Sequence, residues 1–144
     1  MHHKEFIAQL DEAKILAAIA RAAQATSGEI RVAVSHQHRV DALSAAQKRF
    51  GKLGMQKTPL RNAVLIYFAP QARTFAVWGD IGVHEKCGDE FWKGIAAKIA
   101  PRLKAGQFTE AIEEAVSEIG VVLAKHFPRG AGDKTQLPGD IVSD

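Results

Sequence analysis

Residues 62–79, NAVLIYFAPQARTFAVWG, decide the fold. From Ala63 to Ala69 the run is apolar almost without interruption, where a strand with one wet face would alternate, so it reads as a central strand covered on both sides. PQAR is a turn, and TFAVWG returns as a strand, so the two form a hairpin. A strand covered on both faces needs helices above and below it, and the flanking sequence supplies them. Upstream, SGEIRVAV breaks at Gly28 into a period of two, with Ile30, Val32 and Val34 on one face and Arg31, Ala33 and Ser35 on the other, a strand beginning near Glu29. Between the two strands Asp41 can cap a helix with Leu43, Ala46, Phe50 and Leu53 inward and Lys48, Arg49 and Lys52 outward. That crossover makes the first two strands parallel, and the hairpin makes the third antiparallel.

Working outward, residues 4–24 carry no glycine or proline and read as one helix of about five turns. Downstream, Phe91, Ile95, Ile99 and Leu103 mark a helix that Pro101 kinks or shortens, and Thr109 can cap a last helix with Ile112, Val116, Ile119 and Leu123 inward. The expected architecture is α/β, a three-layer αβα sandwich around a mixed sheet of about four strands. Residues 1–128 form the single domain, and the Gly- and Pro-rich residues 129–144 a flexible tail.

The same topology gathers residues far apart in sequence. Glu29 at the start of the first strand, Arg61 and Asn62 before the second, and Gly79 and Asp80 after the third fall at one edge of the sheet. The segment that follows, GDIGVHEKCGDEFW, reads as a polar loop crowded with Asp80, His84, Glu85, Cys87, Asp89 and Glu90. Calcium and magnesium want carboxylate and carbonyl oxygens, which Glu29, Asn62, Asp80 and Glu85 and the main chain near Gly79 and Gly82 can offer. The plainer reading is a polar turn with Asp80 and Asp89 as caps, and spacing alone favours it. His84 and Cys87 suggest a thiolate pair, although a lone cysteine is more often an inert small residue and no third group orients them. His36, His38 and His126 read as solvated, and Trp78 and Trp92 as packing walls. GxxxxGK[ST], GxGxxG and GxSxG are all absent, which removes the usual support for nucleotide hydrolysis, dinucleotide redox chemistry and serine hydrolysis.

A chain of 144 residues, 47% hydrophobic, has the size of one domain. One cysteine excludes an internal disulfide framework and a CxxC metal site. The longest apolar run is too short to span a bilayer, and acids stand where a signal peptide would be apolar, so a cytoplasmic protein is expected. The net charge of +3 hides a basic segment between Ile30 and Gly79, where eight cations face one acid, Asp41. Such a segment can attract a phosphate-bearing or anionic partner, but a solvated helix face is the favoured account, and nucleic acid is not expected.

The motifs SGEIRVAV, the aliphatic strand after RN, the APQARTFAVWGD hairpin, GVHEK and KAGQFTEAIEEAV together resemble the TPM domain family over roughly residues 12–128. The chain looks most like a short bacterial branch in which the domain stands alone. The resemblance implies an αβα sandwich, a divalent-cation site near the sheet edge usually assigned to calcium, and an acid-phosphatase activity attributed to plant relatives. It carries Glu29, Asn62, Gly79 and Asp80 over as metal-site positions, with Glu85 as an addition. Two departures stand out. Arg61, Asn62, Ala63 replace the common Asp-Asn-Gly, and Gly79, Asp80, Ile81, Gly82 stand where Gly-Tyr-Gly is common. Two functions follow. One is a metal-dependent phosphatase-like protein with calcium or magnesium as cofactor and Arg61 as candidate catalytic residue. The other is a non-catalytic protein-interaction or membrane-complex accessory module, recruited by a membrane-associated partner, with a structural cation or none.

Overall fold

The computed structural model describes residues 2–129 and 141–143. Strand β2 (Ala63–Ala69) is buried along its whole length, as its unbroken apolar run requires. It pairs in parallel with β1 (Glu29–Val34) and in antiparallel with β3 (Thr74–Gly79), the hairpin partner. Among the described residues the sheet has four strands in the order β3-β2-β1-β4. Alternate side chains then part into two cores. Ile30, Val32, Val34, Val64, Ile66 and Phe68 join one, and Ala33, Leu65 and Tyr67 the other.

The first core is covered by α1 (His3–Ala8), α2 (Glu12–Ala25), α4 (Ile81–Lys104) and α5 (Phe108–His126). The second is covered by α3 (Ala42–Lys52), which lays Ala46 and Phe50 on the sheet with Met55 behind them. Asp41 caps α3 by accepting the Ser44 N–H at 3.2 Å, and the Ser44 hydroxyl donates to the same carboxylate at 2.6 Å. The hydroxyl's bond and then the backbone bond hold the Asp41 carboxyl below its ordinary pKa. The charged outer face of α3, with Lys48 and Lys52 exposed, is as expected, but Leu43 is 47% exposed on the helix flank and Ala42 points inward instead.

Four other expectations give way to the structure. The single helix over residues 4–24 is two helices, because Asp11 turns out of α1 to cap α2 at the Lys14 N–H. Its own N–H donates to Thr109 Oγ1 at 2.9 Å, across 98 residues of sequence. Thr109 is therefore not the cap of α5, whose N-cap is Gln107. Helix α4 starts at Ile81, so most of the supposed polar loop is helical, and it is Gly88, at φ 74°, rather than Pro101 that kinks α4 and divides it into two helical segments. Finally, Ile141–Ser143 form β4 against Val32–Val34. Of the tail expected over residues 129–144, residues 130–140 and 144 lie outside the described residues.

Thr109→Val keeps the side chain's shape and removes the acceptor of the Asp11 N–H. It is expected to cost about 1–2 kcal/mol in urea unfolding and to speed amide exchange at Asp11. Unchanged exchange there would show that the α1–α2 break does not depend on this bond.

Candidate functional site

The edge is built from three backbone connections. Thr58 C=O accepts the Arg61 N–H at 3.1 Å, closing a turn with Pro59 in its second position, and Thr58 Oγ1 accepts the Asn62 N–H at 3.1 Å. Asn62 C=O accepts from Glu29 N–H at 3.4 Å, which ties the start of β1 to the start of β2. Asp80 N–H donates to Ala63 C=O at 2.9 Å, which carries the β2–β3 ladder one residue past Gly79. Glu29, Ala63 and Asp80 therefore occupy one row across the sheet, on its α3 face. The two acids start two strand spacings apart, about 9–10 Å.

Asp80 is buried and fully engaged. Its Oδ1 accepts the Ile81 N–H at 2.8 Å as the N-cap of α4, and also Arg61 Nη2 at 2.8 Å. Its Oδ2 accepts Arg61 Nε at 2.6 Å, completing a two-pronged guanidinium–carboxylate pair. The Asp80 side chain is 6% exposed and that of Arg61 48%, so water reaches only the cation's side. The hydrogen bond to Asp80, and then the charge attraction, hold the Arg61 guanidinium above its already high ordinary pKa. Arg61 makes this contact from φ 53°, a left-handed backbone uncommon outside glycine, asparagine and aspartate.

Two glycines admit the neighbours that shape the edge. A Cβ on Gly79 would lie 2.3 Å from the Trp92 ring, which covers the end of β3. A Cβ on Gly82 would lie 2.2 Å from Leu60 O and 2.6 Å from Arg61 O, and Gly82 N–H donates to Arg61 C=O at 2.9 Å. The first turn of α4 thus rests directly on the Leu60–Arg61 backbone. Leu60 and Ile81, 56% and 54% exposed, flank the ion pair with apolar surface.

The sequence-derived residues are brought together unequally. Glu29, Arg61, Asn62, Gly79 and Asp80 share the edge, and Asn62 Nδ2 donates to Ser27 Oγ at 3.3 Å. Glu85 is exposed on α4 and takes no part in the pair. His84 faces Asp89 at 3.6 Å, while Cys87 packs against the core, where burial pushes its thiol up and away from a nucleophilic thiolate. Thr58 and Leu60 escaped the sequence reading, and Gly82 entered it as a source of main-chain oxygen rather than as the contact of α4 with the turn; Pro59 after a threonine and a glycine two residues past a capping aspartate were the signals available. A hard cation takes about six to eight oxygens. The donors here do not fit one: Asp80 holds a guanidinium on both oxygens at a helix N-terminus, whose own polarity is positive. Among the described residues no three carboxylate, imidazole or thiol side chains gather around a common point.

Comparison with known proteins gives two findings. The profile of a family described as the TPM domain matches residues 1–122. The NMR structure of the BA42 protein from the psychrophilic bacterium Bizionia argentinensis superposes with a TM-score of 0.85 at 35% identity, covering 92% of each chain. No curated protein matches.

The contact of α4 with the turn predicts opposite signs for one substitution at two sites. Gly82→Ala must push a backbone carbonyl aside, at a cost of about 1–3 kcal/mol, with amide shifts at Arg61 and Asp80. Gly94→Ala, beyond the Gly88 kink of α4 with open space around it, is expected to stabilise by about 0.5–1 kcal/mol. Denaturant midpoints and amide spectra of the two variants check both.

Proposed function

The chain belongs to the TPM domain family, and on that premise we propose that it is a protein-binding module without a hydrolytic step of its own, its sheet edge closed by an internal ion pair. One observation carries the reading: both oxygens of Asp80 are bound by Arg61. A metal-dependent phosphatase polarises a phosphoryl oxygen and activates water with its cation, so it needs carboxylates free to ligate. Here the most buried carboxylate of the turn between β3 and α4 caps a helix and neutralises an arginine. The guanidinium sits where a cation ligated by Asp80 would have to sit. Asp80→Asn would leave that arginine without its counter-charge, so the pair serves the shape of the edge rather than a reaction.

The surface offered to a partner is the outer face of α3, where Lys48 and Lys52 are exposed one turn apart. Its charge fits an acidic protein surface. Among the described residues no helix is long and apolar enough to cross a membrane, so attachment to a membrane complex would run through such a partner.

The test is a calcium and magnesium titration of the metal-free protein followed by amide shifts, beside a phosphomonoester assay. The native chain is expected to show no saturable shift at millimolar cation and no turnover above that of Asp80→Asn. Arg61→Asp puts a residue at home in the left-handed region beside an unpaired Asp80, and is expected to gain saturable shifts at Asn62 and from Gly79 to Glu85. Native shifts centred on Glu29, Asn62 and Asp80 and lost in Asp80→Asn would overturn the reading in favour of the phosphatase-like one.

A further inference from the structure

At the other end of the sheet lies a cavity of about 470 Å³, between the β2–β3 turn, the end of α4 and the start of α5. Its walls are phenylalanines. Phe6 stands 4.8 Å from Phe108 and 5.4 Å from Phe68, and Phe68 stands 6.0 Å from Phe75, ring centre to ring centre, so four rings form one continuous lining. Two further lining residues are charged, and both are cations, Arg73 and Lys104; among the described residues no carboxylate lines the cavity. Both are exposed, so the polar part of the lining lies toward solvent and the apolar part toward the core.

Neither cation is fully accounted for by the fold. Lys104 ends α4, where a positive charge suits the helix C-terminus. Arg73, however, closes the turn at φ 53°, a position where glycine or asparagine would carry no such strain, and among the described residues no carboxylate pairs with it. The volume falls in the range of small-ligand sites, about 300–1,000 Å³, which are largely apolar with a few placed polar groups. The location also has a reason. Phe68 and Pro70 lie at the carboxyl end of β2, and in open α/β sheets ligands bind beyond the carboxyl ends of the parallel strands.

We propose that this cavity binds a small amphipathic carboxylate, a medium-chain acyl or aryl acid, with its apolar part among the four phenylalanines and its carboxylate at the rim on Arg73 and Lys104. A guanidinium matches a carboxylate with two parallel hydrogen bonds, and the lysine adds a second positive charge. The phenylalanines supply no hydrogen bonds, so they select for an apolar tail and the rim selects for the anion. The site is independent of the Arg61–Asp80 edge, which lies at the opposite ends of the same strands, about 20 Å away along β2.

The test titrates the full chain with hexanoate, octanoate and decanoate, and with octan-1-ol as the uncharged control, followed by amide shifts and calorimetry. Saturable shifts are expected at Arg73, Phe75, Lys104 and Phe108, with affinity rising roughly fourfold per added methylene until the cavity is full. Octan-1-ol is expected to bind at least tenfold more weakly than octanoate. Arg73→Gln with Lys104→Gln should bring octanoate down to the level of the alcohol and leave the alcohol unchanged, a readout that a merely damaged fold would not give. Ala100→Leu, which fills part of the cavity, should weaken both ligands. Three results overturn the proposal: no saturable shift at millimolar decanoate, equal affinity for acid and alcohol, or shifts spread over Lys48 and Lys52 in place of the cavity.

Discussion

Strand β2 has no side that can meet water, and most of the architecture follows from that. Burying both faces of a strand in a single domain demands a helical layer on each, and a parallel neighbour joined by a crossover provides one of them. Here α3 is that crossover and, among the described residues, lays Ala46 and Phe50 on the sheet, with Met55 just past its end and Ala45 and Leu53 packed at the margin. The opposite side takes the larger share, with α2, α4 and α5 packed over Ile30, Val32, Val34, Val64, Ile66 and Phe68. The asymmetry shows in the charges. The thin layer is basic at its surface, and α5 turns Glu110 to water, while Glu114 and Glu118 meet Arg102 and Lys98 of α4. A partner therefore sees two chemically different faces on one small domain.

The hairpin and the parallel crossover were legible because they rest on local pattern and on general rules of connection. An apolar run of seven residues, a turn and a second run leave few alternatives, and the convergence of Glu29, Asn62 and Asp80 at one edge then follows from strand directions alone. What could not be read depends on distant partners. The break between α1 and α2 is held by Thr109, and nothing near Asp11 announces it. Helix α4 hid because Gly88 interrupts it and because Gly82 looks like a loop residue until Leu60 O is known to lie against it. Strand β4 is three residues long, too short to display a period.

The candidate site was legible in position and not in pairing. Arg61 and Asp80 were both singled out, yet as separate agents, Arg61 as a candidate catalytic residue and Asp80 as a cation ligand. The sheet sets them side by side, and opposite charges at one partly buried edge answer each other before they answer a ligand. The left-handed backbone at Arg61 adds to this. An arginine there gains nothing from its own conformation and is kept by its contacts, the Thr58 turn behind it and the Asp80 carboxylate in front. An edge closed by its own ion pair leaves neither oxygen of Asp80 without a partner.

The two ends of the parallel strands are thus opposites. At their amino ends, backbone bonds, a helix cap and a guanidinium engage Asp80 and the main chain around it, and Trp92 and Gly82 pack closely against the turn. At their carboxyl ends, four phenylalanine rings stand around a volume that no side chain among the described residues fills, with Arg73 and Lys104 in its lining. Apolar side chains close a gap where they can, since an unfilled cavity forfeits dispersion contacts on every wall. One kept open beneath two cations stabilises the domain less than a filled one would, and the same opening is what a ligand needs. That opening stands at the carboxyl ends of the strands, away from the acids that first drew notice.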